Sequence, residues 1–229
     1  MQFQPGSSRS FEAISSRVPD QIVRSRSDAA MTRAFDLALA ILALAILAPL
    51  LCIIVVVVKL TSKGPVFFAH RRIGAGGKSF PCFKFRSMVS NSAEVLERHL
   101  QDNAQARQEW AQDRKLRNDP RVTAVGRLLR RTSIDELPQL LNVLRGEMSM
   151  VGPRPITADE IAKYRQYFSV YISVKPGITG LWQISGRNDT TYRRRIALDT
   201  AYARSRTVGL DIAIVLRTFP AVLFGTGCY

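Results

Sequence analysis

Residues Leu37 to Val58 read LALAILALAILAPLLCIIVVVV and contain no charged or strongly polar side chain. A helix of these 22 residues is roughly 33 Å long, which is enough to cross the hydrocarbon core of a bilayer. The run starts too late and is too long for a cleavable signal peptide. The sequence therefore predicts a membrane anchor at residues 31–60.

Two features bear on the path of this anchor through the bilayer. Pro49 removes one backbone hydrogen bond and clashes with the carbonyl of Ala45, so we expect the helix to be broken near this residue. Both flanks are basic, which by the positive-inside rule favours keeping both ends on the cytosolic face. Two half-helices that enter one leaflet and return satisfy both observations, and a kinked helix that spans the bilayer once is the alternative. The flanking basic residues are Arg17, Arg24, Arg26 and Arg33 before the run and Lys59, Lys63, Arg71, Arg72 and Lys78 after it.

The net charge of the chain is strongly positive. Lys and Arg total 33 against 18 Asp and Glu, which gives a formal charge of +15. Such a chain favours partners that carry negative charge, namely phosphates, nucleic acid or anionic lipid headgroups. The charge alone does not choose among these three classes.

Cysteine and histidine usage bounds the compartment and the metal chemistry. The chain has three cysteines without C-x-x-C spacing, and Cys52 lies inside the apolar run. This usage is typical of a reducing, cytosolic environment for the soluble part. The two histidines, His70 and His99, have no ligand-spaced partner, so the pattern excludes a zinc cluster and favours a hard cation bound by oxygen.

The regions beside the anchor indicate an α+β fold that is mostly helical. Residues 1–30 are rich in Ser and Arg and are interpreted as a flexible leader, while residues 61–229 are predicted to form a small cytosolic domain. Two strands, Val66 to Ile73 and Phe80 to Met88, flank the turn GAGGK and predict a β-hairpin.

Three further segments are predicted to be helical. Residues 90–112 are polar and suit a solvated helix, and Ala158 to Tyr171 follow a helical pattern. The last region, expected to be broken near Gly209 and Pro220, mixes Arg with apolar faces. That mixture is typical of amphipathic helices on a membrane surface, with ordinary packing on a core as the alternative.

The stretch RTSIDELPQLLNVLRGEMSMVGPRP, from Arg131 to Pro155, places two acids in a basic chain. Ser133 and Glu136 have the spacing of a capping box, with Asp135 favouring the helix dipole. Pro138 would disturb such a helix, so a helix that starts nearer Asp135 and presents the acids at its exposed mouth is the second interpretation.

A functional interpretation starts from the arginines around the acidic pair. Arg127, Arg130, Arg131 and Arg154 are expected to favour the ionised carboxylates, which suits a nucleophile or an oxygen ligand for Mg²⁺. Phosphoryl transfer needs this combination of cations, a hard metal and an oxygen nucleophile. Arg154, held between two prolines, is a candidate for gripping a phosphate. The apolar anchor implies that one substrate lies in the membrane.

The chain resembles the bacterial sugar transferase family, the monotopic phosphoglycosyl transferases that start exopolysaccharide and other glycan assembly. The resemblance covers about residues 31–229, and its most specific part runs from DELPQL to GPRP. The matching strings are GPVFFAHRRIG, GKSFPCFKFRSM, DPRVTAVGRLLRRTSIDELPQLLNVLRGEMSMVGPRP and KPGITGLWQISGR.

The resemblance implies a specific reaction. Sugar 1-phosphate would pass from a UDP-sugar to polyprenyl (undecaprenyl) phosphate, with release of UMP and a covalent aspartyl phosphosugar intermediate. The branch that uses galactose or glucose is the more similar one. The expected location is the cytosolic face of the bacterial inner membrane, with a re-entrant anchor, the lipid bilayer as partner and no nucleic acid. A homo-oligomer remains an alternative to a monomer.

Matching residue by residue to the family implies roles for seven residues. Asp135 would be the nucleophile and Glu136 its neighbour and Mg²⁺ ligand. Arg86 and Arg154 would grip phosphate. Asp199 would contribute to the site, with a structural ion pair as the alternative. The further substrate-binding candidates in the basic surface are Lys59 and Lys84.

Two other functions compete with this hypothesis. A non-catalytic, basic, membrane-associated protein that binds phosphate or nucleic acid would use the same charge, but the sequence carries no nucleic-acid recognition signature. An ordinary glycosyltransferase would release UDP, but no D-x-D strand motif is present.

Overall fold

The computed structural model describes residues 26–113, 116–186 and 190–223, and these form two compact units. Within the described residues the first unit comprises 26–45, 69–83, 139–186 and 190–223, and the second comprises 46–68, 84–113 and 116–138. Helices dominate both units, and the sheets are small. The predicted leader lies mostly outside the described residues.

Helix α1, Arg26–Thr61, contains the whole apolar run. It is the one helix among the described residues that is long and apolar enough to cross a membrane. Only 11% of its most apolar window is buried against protein, which is unlike the core helix of a soluble protein. The helix is assigned without interruption at Pro49, so the predicted break does not divide it into two helices. Its exposed large apolar residues include Ile41, Leu42, Ile46, Ile53, Val56 and Leu60.

In the first unit, polar residues near the start of α1 bind the protein rather than solvent. The buried carboxylate of Asp36 accepts hydrogen bonds from Ser149 Oγ at 2.9 Å and Met150 N at 2.8 Å. Arg33 donates to the carbonyls of Val143 and Leu144 at 2.6 and 2.9 Å, at the end of α5 (Gln139–Arg145). These bonds fix the helix start, because a buried carboxylate needs hydrogen-bond donors.

An apolar cluster completes this attachment. Ala40 of α1 is fully buried, and Ala43 and Leu44 pack beside it. Small residues let the helix backbone approach the rest of the unit closely. The partners of this cluster are Phe80, Cys82, Leu140, Val143, Met148, Leu144, Met150 and Ile178.

A parallel pair of short strands was not predicted. Strand β3, Ser149–Val151, pairs with β4, Gly177–Thr179. Each has three residues, which is too short for hydrophobic alternation to identify from the sequence. The two strands lie beside α9, Val208–Leu223, through a cluster that includes Val151, Tyr202 and Ile214.

The predicted hairpin is confirmed with slightly shifted bounds. Strand β1, Phe67–Ile73, pairs with β2, Ser79–Phe85. Gly74 N donates to Lys78 O at 2.8 Å, which closes the turn. Gly76 and Gly77 both have positive φ, the conformation that makes glycine the favoured residue in such a turn.

The helices expected after the hairpin are present. Residues 90–112 contain α2, Ser92–Asp102, and α3, Ala104–Asp113. The stretch from 158 to 172 holds α6, Ile161–Tyr164, and α7, Phe168–Ile172, joined by short 3₁₀ turns. Helix α8 is Tyr192–Ser205.

The break expected near Gly209 lies slightly earlier, between Ser205 and Val208. Thr207 causes it, since its hydroxyl accepts from Leu210 N at 3.1 Å and so caps α9. The helix continues through Pro220, so the second expected break is wrong.

The second unit is built around the C-terminal half of α1. Ile54 and Val58 are buried against Phe85 and against Leu129 of α4 (Ala124–Arg131). Thr123 caps the start of helix α4, and its hydroxyl accepts from Gly126 N at 2.9 Å. Partly buried residues that pack on this cluster are Leu51, Val55, Val66, Val125 and Ile134.

Gly126 tests this packing. A Cβ at this position would lie 2.0 Å from the Ser87 carbonyl oxygen, a backbone atom that cannot move aside cheaply. We expect Gly126→Ala to lower the free energy of unfolding by about 2 kcal/mol or more, despite the better helix propensity of alanine. The matched control is Gly209→Ala in α9, where the new Cβ meets no atom closer than 4.0 Å. That change is expected to be neutral or stabilising in a denaturation series, and equal effects of both changes would contradict the packing argument.

Candidate active site

The acidic pair lies on a tight turn between α4 and α5. Ser133 has φ of 56° and occupies the left-handed region, a conformation that is uncommon for a residue other than glycine. A single 3₁₀ turn, Ile134–Glu136, follows it, and α5 begins after Pro138. Ser133 makes no side-chain cap hydrogen bond, so the capping-box interpretation is wrong. The left-handed residue reverses the chain and presents the two acids one after the other.

Asp135 is buried and Glu136 is partly exposed. The sequence placed the pair at the exposed mouth of a helix, which is wrong for Asp135, because only 7% of this residue is exposed. Lys84, near the end of β2, lies beside both acids. Its Nζ donates to Glu136 Oε1 at 2.5 Å and lies 4.0 Å from Asp135 Oδ2. Lys84, Asp135 and Glu136 therefore form one charged cluster within the second unit.

Burial sets the protonation behaviour of Asp135. Desolvation raises the pKa of its carboxyl to about 6, and the Glu136 carboxylate adds to the rise, while Lys84 and Arg130 oppose it. Arg130 favours the ionised form as expected, but burial outweighs it, so the expectation that the ionised form is favoured overall is wrong for this residue. Arg127 and Arg131 are exposed, and Arg130 donates to Ser87 Oγ at 2.8 Å. A carboxylate with a raised pKa is a better nucleophile once ionised, since it is both more basic and less hydrated.

Arg86 has a different environment from the one predicted. It is buried, and its guanidinium donates to Ser62 O and Ser62 Oγ, each at 2.7 Å, and to the carbonyl of Pro65. These acceptors lie at and just after the C-terminus of α1, where carbonyls lack partners within the helix. The contacts assign Arg86 a helix-capping role, and its phosphate-gripping role stays a prediction. Lys59, on the last turn of α1, is exposed.

Arg154 and Asp199 belong to the first unit. Asp199 lies on α8 and is buried, and Tyr164 Oη donates to its Oδ2 at 2.7 Å. Burial raises the pKa of the Asp199 carboxyl to about 7, against the lowering effects of Tyr164, Arg195 and Arg154. Arg195 Nε lies 3.9 Å from the same oxygen. The structural ion pair offered as the alternative role of Asp199 is thus present.

Sequence reasoning missed two aromatic and basic residues beside Arg154. The guanidinium carbon of Arg154 lies 5.4 Å from the centroid of the Trp182 indole, and that of Arg195 lies 5.1 Å from it. Nη1 of Arg195 also lies 3.8 Å from Glu160 Oε1. The tryptophan of KPGITGLWQISGR was a usable signal, because it lies among three glycines in a string that matches the family.

Residues 27–225 match the sequence profile of the bacterial sugar transferases. The chain belongs to this family. The match extends from the start of α1 into the C-terminal region, so it includes the anchor, the acidic pair and both arginines that stack on Trp182.

Individual relatives agree with the family. An exopolysaccharide production protein ExoY of Rhizobium meliloti (strain 1021) is 50% identical over 197 residues, which cover 86% of this chain and 87% of the relative. An undecaprenyl-phosphate galactose phosphotransferase of Salmonella typhimurium is 48% identical over 221 residues. That match covers 96% of this chain and 46% of the longer relative. A UDP-glucose:undecaprenyl-phosphate glucose-1-phosphate transferase of Escherichia coli is 45% identical over 197 residues, 82% of this chain and 39% of the relative.

The acidic pair also fits the predicted Mg²⁺ ion. No group of three or more His, Cys, Asp or Glu side chains converges within residues 26–113, 116–186 and 190–223. Mg²⁺ in phosphoryl transfer is commonly held by one or two carboxylates and the substrate phosphates, rather than by a cage of protein ligands. Glu136, the predicted ligand, supplies one such carboxylate, so the donor set suits a metal that arrives with its phosphate ligand.

The raised pKa of Asp135 makes a stability prediction with a definite sign. The folded state binds the proton more tightly than the unfolded state, so wild-type stability falls as the pH rises from about 4 to about 6. A pKa rise of this size corresponds to about 3 kcal/mol at neutral pH. Asp135→Asn removes this cost, so we expect its melting temperature at pH 7.5 to exceed that of the wild type by several degrees.

The pH series supplies the check on this prediction. The stability advantage of Asp135→Asn should shrink as the pH is lowered from 7.5 to 5. Asp102→Asn, at an exposed acid of the same unit, is the control and should shift the melting temperature little at any pH. An Asp135→Asn protein that is less stable than wild type at pH 7.5 would contradict the burial argument.

Proposed function

We propose that this sugar transferase moves sugar 1-phosphate from a UDP-sugar to undecaprenyl phosphate, as the first step of exopolysaccharide assembly. The observation that carries the proposal is the buried Asp135 carboxyl, held beside Glu136 and Lys84 on a left-handed turn. Relatives named as undecaprenyl-phosphate sugar phosphotransferases support the acceptor, and one named with UDP-glucose supports the donor.

The reaction is proposed to take two steps through Asp135. In the first, a carboxylate oxygen of Asp135 attacks the phosphorus that carries the sugar, and the bond from this phosphorus to the oxygen of the leaving UMP breaks. In the second, a phosphate oxygen of undecaprenyl phosphate attacks the same phosphorus and frees the Asp135 carboxylate. The products are UMP and a sugar diphosphate lipid, so one phosphoryl bond forms and one breaks in each step.

The neighbours of Asp135 have defined tasks in this scheme. Lys84 places a positive charge within 4.0 Å of the Asp135 carboxylate, which favours the ionised nucleophile and offsets charge on the transferring phosphoryl group. Glu136 holds Lys84 by a direct hydrogen bond. Mg²⁺, bound through Glu136 with substrate phosphate oxygens, would supply further charge neutralisation.

A hexose is the proposed sugar. The Salmonella relative is named for galactose and the Escherichia coli relative for glucose. Selection between them depends on the orientation of a single hydroxyl group, which a few hydrogen bonds distinguish.

Nucleotide release tests the chemistry directly. Detergent-solubilised protein is given Mg²⁺, undecaprenyl phosphate and UDP-galactose or UDP-glucose, and the released nucleotide is identified by chromatography. We expect UMP from the wild type, and a loss of at least about a thousandfold in Asp135→Asn, because no other oxygen replaces the nucleophile. Asp102→Asn should retain wild-type turnover, and chelation of Mg²⁺ should abolish it. The wild-type rate should fall below pH about 6, as Asp135 becomes protonated.

Other products would overturn parts of the proposal. UDP as the released nucleotide would indicate an ordinary glycosyltransferase. Appreciable turnover by Asp135→Asn would remove the nucleophile assignment. No nucleotide release with any UDP-sugar, combined with tight binding of phosphate ligands, would favour the non-catalytic binding protein.

The anchor is proposed to be re-entrant, with both ends on the cytosolic face of the inner membrane. Basic residues at both ends of α1 support this path. The test uses epitope tags at both termini in sealed, right-side-out spheroplasts treated with external protease. Both tags should stay protected, whereas digestion of the N-terminal tag alone would replace the re-entrant anchor with a spanning one. An inner-membrane protein of known topology with a domain on the outer face serves as the control for protease activity.

A further inference from the structure

Trp182 and Arg195 in the first unit have buried hydrogen-bond donors without acceptors. Trp182 is only 4% exposed, and its Nε1 has no hydrogen-bond partner among the described residues. The Nε and Nη2 of Arg195, on α8, are also buried and make no hydrogen bond among the described residues, although Nε lies 3.9 Å from Asp199 Oδ2 in the ion pair described above. Buried donors are ordinarily satisfied, and each one left without an acceptor costs free energy. Unsatisfied donors on two neighbouring side chains therefore point to a ligand that supplies acceptors.

The electrostatic surroundings indicate what kind of acceptor fits. Two guanidinium groups, those of Arg154 and Arg195, face the Trp182 indole at 5.4 and 5.1 Å from its centroid. Two carboxylates lie near Arg195. Glu160 Oε1 is 3.8 Å from its Nη1 and Asp199 Oδ2 is 3.9 Å from its Nε, and both distances exceed hydrogen-bond distance. Burial raises the pKa of Asp199 to about 7, so part of its negative charge is removed near neutral pH. The cluster keeps a positive balance and presents donors.

We propose that Trp182 and Arg195, together with Arg154, form a phosphate-binding site, in which Trp182 Nε1 and the free Arg195 donors bind phosphate oxygens. The proposal rests on the proposed function, since that reaction brings two phosphate-bearing molecules to the protein. The ligand is the diphosphate of the UDP-sugar or the phosphate of the polyprenyl acceptor, which present the same oxygens. Glu160 and Asp199 act as positioning residues, since their carboxyl oxygens lie 3.8 Å from Arg195 Nη1 and 3.9 Å from Arg195 Nε.

Fluorescence makes the site directly observable, because the chain has only two tryptophans, Trp110 and Trp182. In a Trp110→Phe background, the detergent-solubilised protein is titrated with UDP, with uridine, with inorganic phosphate and with a short-chain isoprenyl phosphate. We expect a saturable change in Trp182 fluorescence with at least one phosphate-bearing probe, and none with uridine. Response to UDP identifies the donor as the source of the phosphate, and response to isoprenyl phosphate identifies the acceptor.

Matched variants at α8 separate a specific site from general charge. Arg195→Gln should lower the affinity for the responding probe by about tenfold or more, since hydrogen bonds to charged groups are strong. Arg194→Gln removes the same charge from an exposed neighbour on the same helix and should leave the affinity within about twofold. Trp182→Phe keeps the aromatic ring but lacks the donor, and its affinity, measured by calorimetry, should also fall. This variant decides the question if Arg195→Gln lowers the melting temperature so far that it cannot be assayed.

The outcomes distinguish this inference from the proposed function. Wild type that releases UMP, with Arg195→Gln and Trp182→Phe both retaining wild-type affinity, overturns the phosphate site and leaves the proposed function intact. Equal losses of probe affinity in Arg194→Gln and Arg195→Gln also overturn it, because they indicate attraction by general positive charge and not a specific site. Wild type that neither binds a phosphate probe nor releases UMP overturns both.

Discussion

The buried carboxylate of Asp36 is the contact on which the attachment of the apolar helix to the first unit depends. An ionisable group at the edge of a hydrophobic run is costly to bury unless donors surround it. Ser149 Oγ and Met150 N provide them, and the same bonds fix the first residues of β3. Arg33, one turn earlier, closes the carbonyl end of α5. Arg33 and Asp36 thus serve protein contacts, while large apolar residues of α1, such as Ile46 and Ile53, stay exposed.

Within the second unit, Arg86 has the corresponding task at the other end of α1. Its guanidinium collects carbonyl and hydroxyl oxygens from Ser62 and Pro65, so the segment after the helix is held firmly. The next charged residue along β2 in the reverse direction is Lys84, which binds Glu136 and approaches Asp135. Lys84 lies on β2 and Arg86 directly follows its end, and the two side chains have different roles. Arg86 holds the segment that follows α1, and Lys84 contacts the two acids.

Sequence reasoning located what depends on local pattern and on family motifs. The apolar helix and the hairpin carry such signals, and the family motif DELPQL singled out Asp135 and Glu136 as candidate site residues. It missed β3 and β4, because a parallel pair of three-residue strands depends on contacts between distant parts of the chain. It also misjudged the electrostatics of Asp135. Counting nearby arginines in the sequence gives their charge but not the burial of the carboxyl, and burial is the larger effect. The left-handed turn at Ser133 had no sequence signal, since serine rarely adopts it.

The formal charge of +15 overstates the number of basic side chains that are available to bind phosphate. Several arginines bind acceptors within the protein. Arg33 donates to helix carbonyls, Arg86 donates to Ser62 at the end of α1, and Arg121 pairs with Asp119. A guanidinium used in this way stabilises chain ends that have no partners of their own. A phosphate-binding arginine is therefore distinguished by N–H donors that make no hydrogen bond within the protein, and not by its charge. By that criterion Arg195, which no composition or motif singled out, is a stronger candidate for a phosphate ligand than Arg86, which the family motif did single out.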